Sequence, residues 1–252
     1  AAAAAGAGGA VLALAVVAAY AALFLAPAVV AAFGALAAAV MLAAGLSAHE
    51  VAGITALLAV ILGAFVPSLS FRMAGLRMPP LPTNAQQLQE GIEPHPTDVV
   101  ASRSVLADGW MSALYAAVGL VCLGCLTVLA RLPGLAEVFT TLALTLLLLL
   151  HSRGLGNVWQ RLSLVVPGTW GLALLVFSQA HAAGSLGRLL TVVGLLALTA
   201  GIAIASWTVP GRRIVPYWGR GAELLHSATA IALLPLVLWV LGVYGALRSL
   251  NG

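Results

Sequence analysis

Long apolar runs alternate with short polar breaks along this chain, and the runs share one length. A helix that crosses the hydrocarbon layer of a bilayer needs about 20 mostly apolar residues, because the layer is about 30 Å thick and each residue rises 1.5 Å. That ruler marks eight spans. Residues 1–46 are about twice the required length and contain Pro27, which predicts two spans over 4–25 and 28–46 with a tight turn at Ala26-Pro27-Ala28. A third runs over 51–71. After a polar segment come 110–130, 134–151, 162–181, 187–208 and 218–247. The expected organisation is three membrane helices in 1–71, a loop over 72–108 and five membrane helices in 109–252.

Local punctuation supports these boundaries. Ser47-Ala-His-Glu50 fits a capping box, with the serine oxygen on an early amide and the glutamate reaching back to the cap. Pro133-Gly134, and later Pro210-Gly211 and Pro216, break the runs that flank them. Trp110, Trp159, Trp207, Tyr217, Trp218 and Tyr244 fall near span ends, where amphipathic rings favour the headgroup layer; Trp170 and Trp239 lie deeper.

Composition narrows the class further. Only 7% of the 252 residues are charged and 62% are hydrophobic, whereas a soluble domain carries about 25% charged residues. So few charges cannot make a solvated surface, and disorder needs the opposite balance. The fold class is therefore an all-α polytopic membrane protein. The formal net charge of +4 records topology rather than nucleic-acid binding. Arg72, Arg77, Arg103, Arg153, Arg161, Arg212, Arg213 and Arg220 fall on one side and Arg131, Arg188 and Arg248 on the other. The positive-inside rule puts the first group, and with it loop 72–108, in the cytosol and the C-terminus outside. Counting back through three spans places Ala1 outside as well. A cytosolic region upstream would then need an odd number of further spans, and the Met-less start Ala-Ala-Ala-Ala-Ala suits the interior of a longer protein.

Candidate chemistry is sparse. A charge inside the bilayer is costly and is kept for a purpose, yet no carboxylate, arginine or histidine falls mid-span. Glu50 and His49 start a helix, Glu137 lies in a first turn, and His151 and His181 end their spans. Arg220, Glu223 and His226 form a charged cluster on the first turns of the last span. Glu223 and His226 allow a proton relay or a metal pair, or an enzyme built on them; the position beside Arg220 at a span end favours an interfacial, salt-bridged helix start. His95 has no ligand neighbour, and Cys122-x-x-Cys125 lacks a second pair for zinc and suits packing. No catalytic residue, metal site or cofactor is expected. Ala197, Gly201 and Ala205 place small side chains on one face of the seventh span, which permits close helix packing. Pro167-Gly168 leaves open a second function, a secondary transporter with a site at broken helices.

The loop carries most of the polarity. Pro79-Pro80-Leu81-Pro82 favours an extended rod, Thr83-Asn-Ala-Gln86 a capped short helix ended by Gly91, and Thr97 the cap of a helix leading into the fourth span. A long loop with this much built-in structure suits docking better than spacing.

Arg72-Met-Ala-Gly-Leu-Arg-Met-Pro-Pro-Leu-Pro-Thr-Asn-Ala-Gln-Gln-Leu-Gln and Ala107-Asp-Gly-Trp-Met-Ser-Ala-Leu-Tyr, with Pro216-Tyr-Trp-Gly-Arg-Gly-Ala-Glu-Leu-Leu-His-Ser near the end, resemble EccD, the multi-span membrane subunit of type VII (ESX) secretion systems. The resemblance implies an inner-membrane protein whose family has eleven spans after a cytosolic ubiquitin-like domain, so that three spans and that domain would precede this chain. It also implies a scaffold without catalysis that pairs with a second copy around membrane lipids and sits beside EccB, the ATPase EccC and EccE. It assigns contacts with cytosolic partners to Pro79, Pro80, Pro82, Thr83 and Asn84.

Overall fold

In a bilayer every backbone N–H and C=O must be satisfied within the protein, which leaves helices or a closed barrel as the possible spanning structures. The computed structural model describes the backbone of residues 2–76, 96–208 and 217–250, and side chains from Leu23 onward apart from 198, 202, 205–208, 217 and 218. Its elements are α1 (Ala2–Ala44), α2 (Ala48–Met73), α3 (Thr97–Leu129), α4 (Leu135–Ser152), α5 (Val158–Ala182), α6 (Ser185–Thr208), α7 (Tyr217–Val240) and α8 (Val243–Leu250). Among the described residues there is no strand. The chain is an all-α polytopic membrane protein. Six of its helices are long and apolar enough to cross a bilayer, and α6 adds a shorter apolar stretch over Ser185–Gly201.

Two boundaries differ from the sequence expectation and one possible helix break is absent, each for a local reason. Pro27 lies inside one unbroken α1 of 43 residues, of which Leu23–Ala44 is long and apolar enough to span. Proline removes one helical hydrogen bond, a loss that membrane helices accommodate, so it does not force a turn. Without that turn, the count that placed Ala1 opposite loop 72–108 loses its first crossing. Pro167-Gly168 likewise sits inside an unbroken α5. The last span ends early: Gly242 has φ +69°, a left-handed conformation that glycine adopts without penalty, and its amide closes on the Trp239 carbonyl at 2.9 Å. Beyond it α8 is a short amphipathic helix touching only α7 among the helices.

Other expectations match. The Glu50 carboxylate accepts the Ser47 amide at 2.7 Å and its hydroxyl at 2.6 Å, starting α2 as a capping box does. Gly134 caps α4. The helix predicted at Thr97 runs straight through into the bilayer as α3, 33 residues long, although Pro96 rather than Thr97 is the cap. Arg103 Nη1 donates to the Gly75 carbonyl at 2.9 Å, so the two flanks of the polar segment meet.

Helix α3 is the hub. It packs on α1, α2, α4 and α5, while α4 also packs on α5 and α7. Its buried face includes Leu114, Tyr115, Val118, Val121, Leu126 and Leu129, together with the unpaired and buried Cys122 and Cys125. The α3–α5 crossing is close enough that a Cβ at Gly119 would fall on the Ser163 carbonyl oxygen. Backbone cannot rotate away as a side chain does. Gly119→Ala is therefore expected to lower stability by about 1–3 kcal/mol, the usual cost of overpacking. Gly124→Ala on the same helix meets nothing within 4 Å and should stay within about 0.5 kcal/mol of the parent. Thermal unfolding of the two variants in detergent, followed by tryptophan fluorescence, distinguishes these outcomes.

Candidate functional site

Polar side chains gather at the two ends of the bundle. Along α4 the interval from Glu137 to His151 is 14 residues, about 21 Å of helix axis. The buried polar groups described in that interval are threonines. Thr140 and Thr141 turn their hydroxyls back to the carbonyls of Ala136 and Glu137, at 2.6 and 2.7 Å. Such back-bonding lets a hydroxyl sit in apolar surroundings without a partner on another helix. Buried Thr145, packed against Gly171 of α5, has no partner for its oxygen.

At one end, His49 Nε2 of α2 lies 3.8 Å from Glu137 Oε1 of α4, the single ion pair among the described residues. At the other end two networks form. Gln160 of α5, 1% exposed, donates to Asp108 Oδ1 of α3 at 2.7 Å, and Asn157 Nδ2 donates to Asp108 Oδ2 at the same distance. Nearby, the buried Tyr115 of α3 has its hydroxyl 3.1 Å from His151 Nε2, and His151 Nδ1 lies 3.3 Å from His226 Nε2 of α7. One proton direction runs from the tyrosine hydroxyl through His151 to His226; the reverse order of donors satisfies the same three groups.

Antiparallel packing of α4 against α7 creates that meeting. Phe139 stacks on Trp239 near the far end of the same face, with centroids 6.4 Å apart. Those residues stand 12 and 13 positions from His151 and His226, so one register serves both contacts. His151 lies in the last turn of α4, and His226 is level with it although it is ten residues into α7. The first turns of α7 therefore extend past α4. Between them opens a cleft of about 560 Å³ lined by Pro67, Tyr115, His151, Arg153, Glu223 and His226.

The sequence-predicted residues fare unevenly. Pro79, Pro80, Pro82, Thr83 and Asn84 lie outside the described residues. Ala197 and Gly201 are exposed, and a Cβ at Gly201 would meet nothing within 4 Å; the side chain of Ala205 is outside the description. The small-residue face of α6 thus has no packing partner among the described residues of this chain. Among the described residues Arg220 and Glu223 form no ion pair, and His226 turns into the bundle instead. What sequence reading missed is His151 as its partner, 75 residues away, for which the signal was a histidine at each of two span ends on the arginine-rich side. Among the described residues no group of three His, Cys, Asp or Glu converges on a metal position.

Burying Gln160 is tolerable because Asp108 accepts its amide at 2.7 Å, with Ser112 Oγ as a longer second acceptor at 3.3 Å. Gln160→Ala leaves the Asp108 carboxylate without one of its two donors and is expected to cost about 1–3 kcal/mol. Asp108→Asn should cost a similar amount and, combined with Gln160→Ala, less than the sum. Melting temperatures of the two single variants and the double variant in detergent measure the coupling.

The family model for the EccD-like transmembrane domain matches residues 1–250. No curated protein matches the chain. Among solved structures, a chain described as "Structure of protomer 1 of the ESX-3 core complex" superposes with a TM-score of 0.66 at 17% identity, covering 89% of this chain and 52% of that one. This chain thus spans about half the length of that relative, and the likeness at this identity is one of fold.

Proposed function

The chain belongs to the EccD-like transmembrane domain family, and from that membership we propose that it is a non-enzymatic structural subunit of a type VII (ESX) protein secretion complex in the inner membrane. In this reading it scaffolds the assembly around the ATPase subunit EccC, with EccB and EccE as further neighbours and a second copy of itself across a lipid-lined face. The observation that carries the reading is the absence, among the described residues, of any charge or histidine in the middle of the bundle. Subunits that move ions or substrates usually carry such groups; one that holds neighbours in position needs a rigid apolar body and exposed helix faces.

The outward faces supply the second half. Leu186, Leu189, Leu190, Val192, Val193 and Leu196 on α6 are all more than half exposed, and among the described residues α6 packs only on α5. Loop 72–108, cytosolic by the arginine rule, is the part of the chain suited to reach the ATPase, through Pro79, Pro80, Pro82, Thr83 and Asn84. The transporter alternative rested on Pro167-Gly168 as a helix break, and α5 runs through both without interruption.

Mild-detergent extraction tests the proposal. Co-migration with an ATPase and other membrane subunits as a large particle is expected; migration as a lone chain would count against it. Ala197, Gly201 and Ala205 are the positions proposed for contact with another helix of the assembly. Gly201→Leu should leave the chain folded, since its site is open, yet weaken association about tenfold, which corresponds to about 1.4 kcal/mol. Native mass spectrometry of complexes from the two backgrounds checks this.

A further inference from the structure

The Tyr115–His151–His226 chain is the polar feature for which a scaffold has no evident use. We propose that His151 and His226 form a binding site for a divalent transition-metal ion of the zinc class, with Glu223, which does not converge on the pair in this structure, turning in from its exposed position as the third protein ligand. The first argument is geometric. His151 Nδ1 and His226 Nε2 stand 3.3 Å apart, and a tetrahedral site with metal–nitrogen bonds of 2.0–2.1 Å has an edge of about 3.3–3.4 Å. An ion seated between the two nitrogens needs no movement of either helix. The rings are near-parallel, with an interplanar angle of 27°, and both line the open cleft.

The second argument is the partner of the remaining nitrogen. Metal-bound histidines hold their other ring nitrogen in a hydrogen bond that fixes tautomer and orientation. Tyr115 is placed to do this for His151: its oxygen lies 3.1 Å from Nε2, and in the tautomer with Nε2–H donating to that oxygen the Nδ1 lone pair is free for an ion. Binding two neutral imidazoles releases no proton overall, because the hydrogen between the rings in the empty pair moves to the outer nitrogen of its own ring.

The third argument is the spacing Glu223-x-x-His226, which puts carboxylate and imidazole on one helical face a turn apart, as metal-binding bundle helices do. Glu223 is exposed, lines the same cleft and has no ion-pair partner among the described residues. It closes the site by rotating inward. Two imidazoles and one carboxylate suit zinc, cobalt or nickel over magnesium or calcium, and the fourth position faces the cleft, open to water. An ion here would tie the end of α4 to α7.

The test uses the full chain, purified in detergent and stripped with chelator, then titrated with Co²⁺ while visible d–d absorption is recorded. Tetrahedral bands saturating at one equivalent and displaced by Zn²⁺ are expected. His151→Gln and His226→Gln should each abolish them, and Glu223→Gln should weaken binding about tenfold or more. Tyr115→Phe should weaken it about 10–100-fold, the effect of losing a group that orients a ligand. His49→Gln, His95→Gln and His181→Gln should leave it unchanged. Absent bands in the parent chain, or bands that survive in His151→Gln and His226→Gln, overturn the proposal. Should either histidine variant fail to fold, unchanged cobalt affinity in both Tyr115→Phe and Glu223→Gln overturns it instead.

Discussion

Lipid tails solvate a leucine about as well as another leucine does, so helices in a bilayer gain little by burying apolar side chains against one another. They associate where backbones come close and packing is dense. In this bundle the closest approaches involve α5, whose glycines serve two neighbours. Gly168 sits against Leu149 of α4, Gly171 against Thr145 of α4 and Leu126 of α3, and the α5 carbonyl of Ser163 occupies the space left by Gly119 of α3. Helices α3, α4 and α5 thereby form one close-packed unit, and α2 and α7 take their places on it. The Tyr115–His151–His226 meeting depends on that unit, because it needs α3, α4 and α7 at a common level.

The same solvent explains where polarity lies. A hydroxyl can remain deep if it bonds a carbonyl of its own helix, as Thr127, Thr140, Thr141, Thr169 and Thr229 do. Carboxylates, imidazoles and primary amides have no such refuge and need partners on other elements or water. They therefore collect toward the two ends of the bundle: His49 with Glu137 at one end, Asp108 with Asn157 and Gln160 at the other, beside the histidine pair. Both the scaffold reading and the metal proposal follow from this partition. Neither needs a charge in the middle of the bundle.

Much of this was legible in the sequence, because span length and the Pro/Gly breaks are local properties. The starts of α2 and α4 were visible in Ser47-Ala-His-Glu50 and Pro133-Gly134 for that reason. Pro27 and Gly242 misled in opposite senses. A proline in an apolar run can be absorbed by a membrane helix, whereas a glycine in such a run stops one only where the chain behind it must turn. The histidine pair was invisible for a different reason. Each imidazole sits near a span end, which alone suggests solvation, and only the antiparallel register of α4 and α7 turns them toward each other. That register is set by large residues such as Phe139 and Trp239, and pairing across 75 residues leaves no mark on hydrophobic periodicity.

Helix α6 shows how the constraint extends beyond the single chain. Its face through Leu186, Leu190 and Val193 is bulky, then becomes small at Ala197 and Gly201 four and eight residues on. Lipid has no need of that change in bulk, since disordered tails fill either relief equally well. A second helix does: it can approach closely only where side chains are small, so the taper fixes where along α6 the two axes would cross. On the scaffold reading that crossing falls toward the arginine-rich end of α6, on the same side as loop 72–108 and the histidine cleft. Contacts made by α6 and contacts made by the loop would then lie on one side of the membrane, where a single neighbouring subunit can engage both.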